Sequence, residues 1–167
     1  EQKRQALNEA AVAIQKGLQI GNELSQRNHF KGIDGSPFIW PLELKRVQAR
    51  NKARYPEKNK KNLQRAKEHY QQACDIGQRV YRQEEIDEKT KGAAIVASGT
   101  ARVEVLQMEV ELHQRYQTPI NRERVLAEME TAVAELQEGE GLGYFNPDRK
   151  KATLNRVEEI KTYLQSI

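Results

Sequence analysis

Apolar side chains recur along this chain in alternating steps of three and four, and that spacing commits most of it to helices burying one stripe each. Over residues 2–28 the stripe is Leu7, Ala11, Ile14, Leu18, Gly21 and Leu24. From about 57 to 89 it is Leu63, Ala66, Tyr70, Ala73, Gly77, Val80 and Ile86, a helix of roughly 45–50 Å if unbroken. Val125, Met129, Ala132 and Leu136 form a third stripe, stopped by Gly139, Gly141 and Gly143, and Val157, Ile160, Leu164 and Ile167 form a fourth. Prolines follow capping residues at Thr118-Pro119 and Asn146-Pro147, where new helices are expected to start. A shorter helix is expected over 42–54, ended by Tyr55-Pro56 because the residue before proline is pushed out of helical geometry.

Residues 90–112 are open to two readings. Val103-Glu-Val105 and Met108-Glu-Val110-Glu-Leu112 each alternate with period two, as in strands after a Ser98-Gly99 turn. The same residues form two helical rows, Val103, Leu106, Val110 and His113 beside Val105, Met108, Leu112 and Tyr116. The Glu, Gln, Met and Leu content favours an inner helix with a wide apolar face. The fold class expected is all-α: one domain over 1–167, an antiparallel bundle of about five long amphipathic helices. With 37% hydrophobic and 31% charged residues the chain can wet most of each helix, while its regular spacing argues against disorder.

One segment breaks the pattern. Residues 29–41 hold Gly32, Gly35, Pro37 and Pro41 together with Phe30, Phe38 and Trp40. We expect a loop folded over the end of the bundle, with those three aromatics as a candidate partner-binding group.

Charge is unevenly placed. Residues 44–67 carry ten basic groups (Lys45, Arg46, Arg50, Lys52, Arg54, Lys58, Lys60, Lys61, Arg65 and Lys67) against Glu57. Residues 84–140 carry thirteen acids against six basic groups. The two stretches can neutralise each other across a helix contact, or the basic one can serve as an anion-binding face for nucleic acid. Nucleic acid is the weaker reading, because no helix-turn-helix or RNA-binding signature accompanies the charge.

Reactive constellations are missing from the sequence. Cys74 stands alone beside Ala73 and reads as a small core residue. His29, His69 and His113 have no zinc spacing, and Glu111 and His113 stand two apart rather than in the Glu-x-x-His of carboxylate-bridged metal bundles. Gly139-Glu-Gly141-Leu-Gly143 follows a helix and lacks the Lys-Ser/Thr of a phosphate loop. We expect no enzyme activity, cofactor or metal. No apolar run is long enough to span a membrane, and the start at Glu1 without Met fits a removed leader or a trimmed end, of which we favour the leader.

Gly99-Thr-Ala-Arg-Val-Glu-Val-Leu-Gln-Met-Glu-Val-Glu-Leu112 resembles the hairpin-to-helix step of the outer-membrane efflux (TolC-like) family. There a Gly-Thr/Ser turn precedes a Glu/Asp-Val-Leu-Gln helix. The likeness extends loosely over 57–116. It implies a long antiparallel helical hairpin in a cell-envelope setting, periplasmic or secreted. It implies no channel, because the chain has no alternating barrel strands, and no catalytic residue transfers with it. The function expected is therefore non-catalytic protein–protein association, with a partner protein or as a homodimer built on coiled-coil-like helix pairing.

Overall fold

The structure is a computed structural model that describes residues 2–26, 36–54, 59–144 and 146–167, without the side chains of Leu18, 21–26, 36–40 and Arg54. Among the described residues there are six helices and no strand: α1 (Gln2–Gln26), α2 (Ser36–Arg54), α3 (Lys60–Tyr81), α4 (Glu88–Tyr116), α5 (Arg122–Gly141) and α6 (Pro147–Gln165). The expected all-α bundle is what the chain forms.

Four of the starts are written in short polar side chains. Asn59, Asp87, Asn121 and Asn146 each accept a hydrogen bond from the backbone N–H three residues on, at 2.8, 2.6, 3.0 and 3.0 Å. Each meets one donor that the first turn leaves without an intrahelical acceptor. At Asn146-Pro147 this matches the expected cap-then-proline start. At Thr118-Pro119 it does not, since Asn121 takes the capping role and α5 begins at Arg122. Gln117 closes α4 in the left-handed conformation (φ 53°), and its N–H reaches the carbonyl of His113.

The long helix expected over 57–89 is shorter at both ends. It stops at Tyr81, the chain reverses over 82–87, and Asp87 caps α4 through Thr90 N–H and Oγ1. Gly99 and Thr100 lie in the middle of α4, so the reversal comes well before the Gly-Thr pair. α2 begins at Ser36 instead of 42, which makes the 36–41 part of the expected aromatic loop helical. Pro37 fits there because a first-turn residue needs no N–H. Residues 27–35, with Phe30, lie outside the described residues.

α4 is the hub and packs against α2, α3, α5 and α6. Its two predicted rows part company. Val103, Leu106 and Val110 join Val125 and Met129 of α5 and Val157, Ile160 and Leu164 of α6. Val105, Met108 and Leu112 join Ala49 and Ala53 of α2 and Leu63, Ala66 and Tyr70 of α3. A helix buried on opposite sides has no single apolar face, which is why period-two alternation shows through its sequence. Ion pairs fix the directions. Lys67 of α3 and Arg124 of α5 both reach Glu109, while further along Cys74 of α3 lies 3.2 Å from Ser98 and Glu135 of α5 holds Arg102 at 2.6 Å, so α4 runs antiparallel to α3 and α5. Arg156 of α6 holds Glu104 at 2.6 Å, and the rings of His113 and Tyr163 meet edge-on at 6.0 Å, so α4 and α6 run parallel.

Candidate functional site

α1 is the exception to this packing. Among the described residues its one helix neighbour is α2, and none of its described side chains is buried. The predicted stripe does turn inward: Leu7, Ala11 and Ile14 are half-buried. The opposite face carries Gln5, Glu9, Val12, Ala13, Lys16 and Ile20, with Val12 55% and Ile20 57% exposed. A second aliphatic row on the far side of an already docked helix has nothing of this chain to cover it among the described residues. Beside it runs an open groove of about 730 Å³, lined by residues that include Ala11, Val12, Lys16, Leu44, Lys45 and Ile76.

The basic stretch is divided by the fold. Arg46 is 6% exposed and donates to Glu43 at 2.9 Å, so it leaves the anion-binding face. Lys67 reaches Glu109 at 3.0 Å, a case of the neutralisation expected between the two charged stretches. Lys45 and Lys52 are half-buried, and both help hold His69 below its ordinary pKa, after the larger effect of burial. Arg50, Lys60, Lys61 and Arg65 stay exposed. The side chain of Arg54, and Lys58 entirely, lie outside the described residues. Because α3 and α4 are antiparallel, the exposed Arg115 and Arg122 around the α4–α5 connection come to the same end of the bundle. Sequence inspection missed these two because they stand in the acidic stretch.

No family model, curated protein or solved structure matches this chain.

The chemistry must therefore be read from the residues. Cys74 is buried, with its sulfur 3.2 Å from Ser98 Oγ, and burial pushes the thiol upward in pKa, away from the reactive thiolate. His113 donates through Nδ1 to the Thr118 carbonyl at 2.8 Å and so closes the end of α4. Among the described residues no three His, Cys, Asp or Glu groups gather into a metal-binding cluster, and no helix is long and apolar enough to cross a membrane. A largely buried charge cluster centres on Arg102, which bonds to Glu135 and Glu128 at 2.6 Å each, with Glu135 buried beside it. Its bidentate reach ties α4 to α5 and presents no open face to a substrate. Phe38 and Trp40 stand in the first two turns of α2, on the helix that borders the groove.

Proposed function

We propose that this protein works by association with other proteins, with α2–α6 as the scaffold and the outward face of α1 as the contact surface. The observation that carries the reading is the exposure of Val12 and Ile20 on a helix of 25 residues that has one neighbour. An isolated helix gains little from propensity alone and is held by the face it buries. A second aliphatic face on such a helix is stabilised by whatever covers it. An extracytoplasmic, cell-envelope setting is part of the proposal and draws its support from the sequence resemblance of residues 101–112 to the helix of the efflux family, the Gly99-Thr100 pair lying inside α4 and not at a turn.

A photo-crosslinking amino acid at Val12, in the cell that makes the protein, tests this. A discrete adduct is expected from Val12 and none from the exposed Gln137 of α5. Equal, diffuse labelling from both positions would remove α1 as a contact surface.

A second reading is favoured by the gathering of Lys60, Lys61, Arg65, Arg115 and Arg122 at one end: an anionic polymer such as nucleic acid binds there. Each phosphate contact adds to the salt dependence. Lys60→Glu with Lys61→Glu should then abolish low-salt binding to a single-stranded oligonucleotide. Wild-type protein that fails to bind at low salt ends this reading.

A further inference from the structure

We infer that the partner of α1 is a second copy of this chain, its α1 laid antiparallel to the first across a twofold axis between Val12 and Ala13. The inference rests on the reading of α1 as the association surface. Of the four large apolar residues exposed by more than a third among the described residues, two, Val12 and Ile20, lie on this helix. The face that carries them is self-complementary in charge. Glu9 stands three residues before Val12, and Lys16 stands three residues after Ala13. Both are exposed, and Glu9 is steadied by a hydrogen bond from Gln5 Nε2 at 3.2 Å.

A twofold axis between Val12 and Ala13 therefore places each Glu9 opposite Lys16 of the second copy, twice over. The same axis sets Val12 against Ala13, and Gln5 against Ile20, which stand seven residues to either side. Asn8 falls opposite Gly17, which is open to solvent in the single chain. A parallel, in-register pair would set Glu9 against Glu9 and Lys16 against Lys16. Charge thus selects the antiparallel arrangement, and a closed two-chain contact follows from its symmetry. A single helix pair covers less than the roughly 1,200–2,000 Å² of a standard interface, so the dimer is expected at micromolar concentrations and above.

Sedimentation equilibrium of the full chain from about 1 µM to 1 mM tests this, and the expected result is a reversible monomer–dimer equilibrium. Lys16→Glu turns both contacts repulsive and should weaken the dimer about tenfold; Glu9→Lys with Lys16→Glu should restore it to within about threefold. Both positions are on the surface, and matched circular-dichroism melts establish that each variant is folded. A wild-type monomer at every concentration overturns the inference. So does a dimer whose strength ignores both the single reversal and the swap. The crosslinker at Val12 separates the two levels. An adduct of twice the chain mass, formed by purified protein, supports self-pairing. An adduct with a different protein alone refutes self-pairing and leaves the association reading standing, and no adduct from purified protein or from cells removes both.

Discussion

At the scale of single residues, buried charge and small side chains decide most of what can be measured. Arg102 and Glu135 are held together between α4 and α5, with 13% and 8% of their side chains exposed. Removing one partner strands the other in a poorly solvated place. Arg102→Ala is expected to cost about 3 kcal/mol in urea unfolding, and Arg102→Met with Glu135→Leu should recover most of that loss. His69 behaves in the opposite sense. Burial first, then Lys45, hold its folded pKa below the ordinary histidine value, with a hydrogen bond to Gln72 opposing them and a smaller contribution from Lys52 in the same sense as burial. The unfolded chain therefore binds more protons at mildly acid pH. Stability is complete above the unfolded value and is lost as pH falls through the depressed folded value. The urea midpoint should drop between about pH 7.5 and pH 5, and His69→Gln should flatten that drop. An unchanged slope in the variant would assign the pH dependence to other groups.

At the scale of helices, close approach is set by glycine. A Cβ on Gly77 would lie 2.8 Å from the carbonyl oxygen of Ala94 and 3.0 Å from Leu42 Cδ1 and Ser98 Cβ. α2, α3 and α4 meet there with no room for a methyl group, and the nearest obstacle is backbone. Gly77→Ala should destabilise by about 1–3 kcal/mol in spite of its better helix propensity. Gly141→Ala, where nothing lies within 4 Å, is the control and should be nearly neutral. Gly139 repeats the crowding at the α4–α5 contact, against Val96 and the carbonyl of Gly92. The glycine run over 139–143 thus has two different jobs: Gly139 lets helices touch, and Gly143, at φ 81°, turns the chain after α5.

At the scale of the molecule, packing is graded from α4 outward. α4 is covered by four helices and α1 by one. Hydrogen exchange should therefore be slowest for amides near Leu106 and fastest in α1, with the gap narrowing as protein concentration rises if copies pair through α1. Uniform protection over all six helices would contradict this gradient. Charge is graded too, with exposed basic groups from α2, α3, α4 and α5 collected at one end.

The sequence alone carried the helical class, the paired rows of α4 and the start of α6, because each rests on the spacing or chemistry of neighbours along the chain. Val103 and Val105 could be assigned to separate rows from periodicity, and Asn146-Pro147 marks its helix start by local hydrogen bonding. Tertiary structure alone decided which row meets which partner helices, and that Arg46 turns inward while Arg115 and Arg122 join the basic end. It also decided that Val12 and Ile20 of α1 stand exposed among the described residues. Burial depends on what distant segments bring to a surface, and neither spacing nor propensity within one helix contains that information.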